Sequence, residues 1–215
     1  MQVTRILAVR HGETAWNRDT RIQGHLDIPL NERGLAQAAR LGDALQHEPV
    51  AAIYSSDLAR ARQTAEALAA TTGAALKLDA RLRERAFGRF EGLTWQEIAE
   101  RWPEQSERWR RRDLDFAAEG GETLPVFYAR CVSVVEELAA AHPGQTIAIV
   151  AHGGVMDCLY RAGSRLDLQA ARSWTLGNAT INRLLYSAEG LSLVGWNDDL
   201  HLEGLSLDEI AEGRK

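Results

Sequence analysis

Three short stretches carry the residue types of phosphate chemistry: Arg10-His11-Gly12-Glu13-Thr14 with Asn17 just beyond, Ser55-Ser56-Asp57-Leu58-Ala59-Arg60, and His152-Gly153-Gly154. A guanidinium stays charged at every relevant pH, and its planar fork binds two phosphate oxygens at once. Phosphoryl transfer spreads charge over three equatorial oxygens, so its catalysis comes mainly from fixed positive groups and donors. A neutral imidazole beside such a clamp is a competent nucleophile toward phosphorus, and cationic neighbours keep it neutral. Each histidine is followed by a glycine, which lets the backbone approach a ligand closely. A leaving alkoxide still needs a proton, so an acid must complete the set.

Each stretch follows a run that reads as a strand. Ile6 to Val9 is continuously apolar, the pattern of a parallel strand covered on both faces. Val50 to Tyr54 and Thr146 to Val150 read likewise, and Leu76 to Leu78 is a weaker strand. Glu32 to Gln46, with Asn31 as N-cap, places Leu35, Ala38, Ala39, Gly42 and Leu45 at helical spacing. An Ala-rich helix follows Ser55-Ser56-Asp57, read as its cap signal, and stops at Gly73. Thr123 to Ala141 puts Leu124, Phe127, Cys131, Val134, Val135 and Leu138 on one face. Ile181 to Tyr186 and Leu191 to Trp196 alternate as strands joined at Glu189-Gly190, an antiparallel edge. Between Leu82 and Gly121 lie three tryptophans, many arginines and the capping box Thr94-Trp95-Gln96-Glu97. The expectation is an α/β fold: one domain over residues 1–215, three layers α/β/α, a mostly parallel central sheet and a small helical insertion at 85–121. In such sheets ligands bind outside the carboxyl ends of the strands, which is where the three stretches converge.

The chain has 215 residues, 45% of them hydrophobic, enough for a real core, and its formal net charge is −5. That charge gives no basic field for nucleic acid or an anionic membrane, so anion recognition rests on a few placed arginines. Arg108 to Arg112, around Trp109, read as a solvated helical face. Cys131 and Cys158 are far apart, with no CxxC pair, and read as core residues. The short apolar run near the N-terminus is no signal peptide and no run is long enough to span a bilayer, so a cytoplasmic location is expected. No carboxylate cluster has the spacing of a metal site, Asp198-Asp199 standing alone, so neither metal nor cofactor is expected. His25 reads as bordering the pocket, and His47 and His142 as helix-dipole partners.

Together, Arg10 to Thr14 with Asn17, Ser56 to Thr64, Leu82-Arg83-Glu84 ahead of Phe87-Gly88-Arg89-Phe90-Glu91-Gly92, and Val150 to Gly154 resemble the histidine phosphatase superfamily, on its phosphoglycerate mutase-like branch. The matches run in the family's order over residues 4–154, and the tail Asn178 to Leu202 is also similar. The resemblance implies a phosphohistidine mechanism without metal. His11 is then the nucleophile, Arg10, Arg60 and His152 the phosphate clamp, Asn17 a further donor, and Glu84 the proton donor, with Glu91 the next candidate. Gln23 and Gly24 match the loop that touches the transferred phosphate or the substrate, and Gly153 is expected to bind substrate too. Mutases of this family usually carry Asn-Ser-Leu-Arg after the second His-Gly, where this chain has Gly154-Val155-Met156-Asp157. The departure, with a short apolar insertion, favours hydrolysis of small phosphate monoesters over a cofactor-dependent phosphoglycerate mutase, and over a non-catalytic phospho-ligand binder.

Overall fold

The computed structural model describes residues 2–205, so residue 1 and residues 206–215, the two ends of the expected domain, lie outside the described residues. One six-stranded sheet organises the chain, in the order β3 (Leu76–Leu78), β2 (Val50–Ser55), β4 (Thr146–Ala151), β1 (Thr4–Arg10), β5 (Ile181–Ser187), β6 (Gly190–Asp198). The first four in that order run parallel, and β5 and β6 form the antiparallel edge. The expected mixed sheet is therefore the one that forms.

The continuous apolar runs are explained by helices on both faces. Side chains alternate along a strand, so Ile6 and Ala8 of β1 and Ile147 and Ile149 of β4 join one cluster, whereas Leu7 and Val9 with Ala148 and Val150 join the other. The first cluster is closed by α6 (Leu124–Ala140) and α7 (Gly153–Ser164), through Phe127, Cys131, Val134, Val155 and Leu159. The second is closed by α2 (Glu32–Leu45) and α3 (Ala59–Thr72), through Leu41, Leu45, Ala61, Ala65 and Leu68. Each such side chain, fully buried, contributes about 1.5–3 kcal/mol for the larger aliphatics. No helix among the described residues is long and apolar enough to cross a membrane.

Most of the expected caps form. Asn31 Oδ1 accepts from Gly34 N–H at 2.8 Å, Gly73 ends α3 in the left-handed region, and Thr94 and Glu97 exchange both bonds of a capping box at the start of α4 (Trp95–Arg101). The expected cap of α3 does not. Ser55 and Ser56 are buried at the strand end, and the Ala59 N–H donates to Asp27 Oδ1 at 2.6 Å from another loop. His142 lies just past the end of α6, and its ring links Tyr54 Oη, at 2.9 Å, to Gln145 Oε1, at 2.7 Å.

Within 85–121, α4 and α5 (Pro103–Arg110) gather over a small core of their own, Phe90, Ile98, Phe116 and Ala118, edged by Trp102 and Trp109. The arginines of this segment are ion-paired as a solvated face should be: Arg110 and Arg111 with Glu107, Arg108 with Asp113. Arg112 differs. Its Nη2 reaches Asp157 Oδ2 of α7 at 3.0 Å, and the same oxygen accepts from the fully buried Arg161 Nε at 2.9 Å. The Arg161 guanidinium also donates to Asp167 O at 2.5 Å and lies over the Trp174 ring. Removing Asp157 strands a buried cation, so Asp157→Ala is expected to cost about 3 kcal/mol or more in denaturant unfolding. Adding Arg161→Met should recover part of that loss; additive destabilisation by the second change would count against the pairing.

Candidate active site

The strand register assembles the three stretches. Arg10 pairs with Ala151 across the parallel β1–β4 ladder, and the pairing continues past the strand ends: His11 N–H donates to Ala151 O at 2.9 Å, and Ser56 N–H to Val150 O at 3.0 Å. All three loops thus leave the sheet side by side at its carboxyl edge. A cavity of about 330 Å³ opens there, and Arg10, His11, Asn17, Gln23, Gly24, Arg60, Glu84 and Gly153 all line it.

The His11 ring is nearly fully buried and its Nδ1 lies 2.7 Å from Gly12 O. A carbonyl oxygen only accepts, so the proton sits on Nδ1 and the lone pair on Nε2. Burial, then Arg60 and Arg10, hold its pKa well below the usual imidazole value. The main chain beside it is pinned from both sides, Asn178 Nδ2 donating to His11 O at 2.9 Å and Gly12 N–H to Thr64 Oγ1 at 3.0 Å.

Arg60 is 1% exposed. It donates to Gly24 O and Leu26 O, both at 2.8 Å, and through Nε to His152 Nδ1 at 3.2 Å. The first two bonds fold the loop after the first motif down onto the site. Gly24 has φ +50°, a conformation other residues adopt only with strain, and a Cβ there would also displace the Glu91 carboxylate, 2.1 Å away. Arg10 Nη1 donates to Leu176 O at 2.8 Å, while its buried Nε has no partner. Burial lowers the pKa of both arginines to about 10, which leaves them cationic near neutrality.

His152 lies behind this wall. It is fully buried, 5.3 Å ring to ring from His11, with Nδ1 accepting from Arg60 and Nε2 donating to Ser56 Oγ at 2.8 Å. Burial first, then Arg60 and His11, keep it neutral. Both nitrogens are engaged, so a ring that reaches a phosphate must first release Ser56. Asn17 is oriented by its oxygen, which accepts from Thr14 N–H and Oγ1 at 3.0 and 3.1 Å and leaves Nδ2 for the cavity. Gln23 is buried with its Oε1 unpartnered.

Glu84 is no surface ion pair. Arg83 is taken by Asp57 at 2.6 Å, and Arg85 donates to the carbonyls of Glu122 and Phe116. The Glu84 carboxylate instead accepts from Arg85 N–H at 2.8 Å and Gly154 N–H at 2.9 Å. A Cβ on residue 154 would lie 2.2 Å from Glu84 Oε1, so the bare glycine is what admits this pose. Glu91 is held outside the cavity by the His25 and Phe87 N–H groups. His25 does not border the cavity; its Nε2 donates to Glu84 O at 2.8 Å and props that residue from behind.

Several lining residues were given no site role by the sequence: Arg21 and Ile22 of the loop after the first motif, Phe87, Trp95 and Trp109 of the insertion, and Arg172 and Leu176 of the irregular loop 165–180. Their segments lack the strand-end context that marks the motifs. Among the described residues no group of three or more His, Cys, Asp or Glu is placed to hold a metal ion.

His11 and His152 predict an acid dependence of sign fixed by linkage. Their folded pKa values are depressed, so the unfolded chain binds protons that the folded one refuses; the stability this adds is complete above about pH 6.5 and is lost as pH falls below it. The limiting slope is about 1.4 kcal/mol per pH unit for each histidine. NMR titration should show both rings neutral well below pH 6.5; protonation of either near that value would contradict the site as described.

Comparison with known proteins matches the sequence profile of the histidine phosphatase superfamily (branch 1) to residues 6–199. The chain is 38% identical over 203 residues to phosphoglycerate mutase-like protein 4 of Arabidopsis thaliana, covering 92% of this chain and 86% of that one. It is 36% identical over 208 residues to a metal-independent phosphoserine phosphatase of the same plant, covering 95% and 85%. Among solved structures, YhfR of Bacillus stearothermophilus superposes with a TM-score of 0.87 at 31% identity, covering 93% of this chain and all of that one. With the profile spanning most of its length and relatives this similar, the chain belongs to branch 1 of the histidine phosphatase superfamily.

Proposed function

We propose that this protein hydrolyses small phosphate monoesters through a phosphohistidine on His11, without a metal ion. One observation carries the reading: the unprotonated Nε2 of a neutral, buried His11 shares a cavity with two cationic guanidinium groups and a carboxyl group. Arg10 and Arg60 hold the phosphate dianion, with Asn17 Nδ2 and the Gln23–Gly24 loop as further contacts and Gly153 giving close backbone approach. His11 Nε2 attacks phosphorus as the bond to the ester oxygen breaks, and protonated Glu84 gives its proton to that leaving oxygen. Glu84, now a carboxylate, takes a proton from water; the water oxygen attacks phosphorus, the N–P bond breaks and phosphate leaves. His152 supports this through Arg60, whose Nε it holds. Residues 85–121 act as a cap over the leaving group, and the substrate is a phosphorylated small molecule, in keeping with the phosphoserine phosphatase relative.

His11→Ala is expected to abolish turnover without unfolding the chain, and to remove the acid-labile, base-stable label that a phosphorylated donor leaves on the wild type. Glu84→Gln should slow esters of alkyl alcohols about 10²-fold more than aryl phosphates, since only poor leaving groups need the proton. A label that persists without His11, or a uniform loss across leaving groups, would remove the respective assignment.

The competing reading, a phosphoglycerate mutase, shares the first half-reaction and differs in the fate of the phosphoryl group. With Gly154 leaving the Glu84 side of the cavity without a side chain, phospho-His11 is open to water. Incubation with 3-phosphoglycerate should therefore release inorganic phosphate in the presence of EDTA and without a bisphosphate primer. Primer-dependent formation of 2-phosphoglycerate, faster than phosphate release, would install the mutase in its place.

A further inference from the structure

Beyond the phosphate clamp the cavity has a wall that hydrolysis alone does not require. Ile22, Phe87, Trp95, Trp109 and Leu176 make it largely apolar, and Trp95 is 48% exposed with its ring 3.9 Å from that of Trp109. Two cations stand in this wall. Arg21 is already engaged, by Glu97 at 3.1 Å and Gly92 O at 2.8 Å. Arg172 is not: its Nε donates to Trp174 O at 3.2 Å, and no carboxylate among the described residues pairs with it. The cleft runs on past Gly153 and Gly154 to further arginines, yet Arg110 has Glu107, Arg112 has Asp157, and Arg85 has backbone carbonyls.

Charge matching then isolates Arg172. A bound phosphate dianion would balance Arg10 and Arg60. Arg172 is left as a cation with no anion beside it, close enough that, after burial and the opposing pull of Glu84, its field acts on Arg10. Its loop is also anchored on both sides, Asp167 O accepting from Arg161 and Leu168 O from Arg112 before it. Trp174 stacks on Tyr160 at 3.9 Å and underlies Arg161, and Leu176 O takes the Arg10 guanidinium. An anchored, exposed, unpaired guanidinium at the mouth of a phosphate site is a receptor for a second anion.

We propose that Arg172 is a specificity-determining residue that binds a second anionic group, a carboxylate or a phosphate, on the alcohol part of the substrate, while Trp95 and Trp109 pack the carbon skeleton between the two anions. The proposal rests on the phosphate-ester reading of the same site, and it confines the natural substrate to esters with two separated negative groups.

A matched pair of esters tests it. 3-Phosphoglycerate and glycerol 3-phosphate share their carbon skeleton and phosphate and differ in whether the far carbon is a carboxylate. The wild type should prefer the former in kcat/KM, and Arg172→Gln should lower that preference about 10- to 100-fold, mainly through KM, the range for one charge-assisted hydrogen bond. Arg172→Lys, which keeps the charge and loses the fork, should retain part of it. Fructose 1,6-bisphosphate against fructose 6-phosphate repeats the comparison for a second phosphate, and the pair that responds more strongly names the anion. A preference unmoved by Arg172→Gln in both pairs, or an equal fall for all four esters, would overturn the proposal. Calorimetric affinities for the same four compounds, in His11→Ala with and without Arg172→Gln, answer independently of turnover. If no ester releases phosphate but the affinities shift as stated, the hydrolase reading falls and the Arg172 assignment stands.

Discussion

The site depends on a main-chain hydrogen bond. His11 N–H reaches Ala151 O because β1 and β4 are parallel neighbours in register, Arg10 opposite Ala151. A slip of one residue would exchange the two faces of β1, moving Ile6 and Ala8 into the cluster that holds Leu7 and Val9. Register is thus fixed by burial on both faces of β1 and β4, and the juxtaposition of the first and last motifs, 141 residues apart in sequence between His11 and His152, follows without any contact dedicated to it. The Ser56 N–H to Val150 O bond extends the same logic to the second motif.

What the register brings together is electrostatically unfavourable in isolation. Two guanidinium groups share a buried site, and their own hydrogen bonds go mostly to carbonyls, Leu176, Leu26 and Gly24, rather than to carboxylates. Carbonyl dipoles satisfy the N–H groups without cancelling the charge, so the attraction for an anion survives inside the folded protein. Burial first, and this field second, keeps both histidines neutral. Geometry and charge therefore act in one direction: the field proposed to draw in phosphate adds to the burial that keeps the His11 lone pair available.

The sheet, the main helices and most of the site were legible in the sequence because each rests on a local signal, and the misses share a physical cause. Apolar runs of four or more residues located β1, β2 and β4, and the motifs at their ends located Arg10, His11 and Arg60. Ser55-Ser56-Asp57 looked like a helix cap because a cap is usually supplied from adjacent sequence, whereas here Asp27 supplies the bond to Ala59 and Ser56 is recruited by His152. His25 was placed on the cavity by its neighbourhood in sequence, but its ring turns back to Glu84 O. Arg172 sits in a loop with neither periodicity nor motif, and its position is set by Arg161, Tyr160 and Arg10, all remote in the pattern.

Helix α7 shows how the departure at Gly154-Val155-Met156-Asp157 is one structural change rather than several. The helix begins at His152, which is its N-cap. Two residues on, the bare N–H of Gly154 orients Glu84. One turn later Asp157 joins the insertion through Arg112, and a further turn on Arg161 reaches into the loop that carries Arg172. A side chain at 154 would displace the acid, and a cation at 157 would face Arg112 and Arg161 across the same few ångströms, repelling the insertion and the loop together. Placement of Glu84, attachment of residues 85–121 and loop position are thus three consequences of the face that a single helix turns toward the cleft, so the acid and substrate-recognition roles proposed for them are tied together through positions 154 and 157.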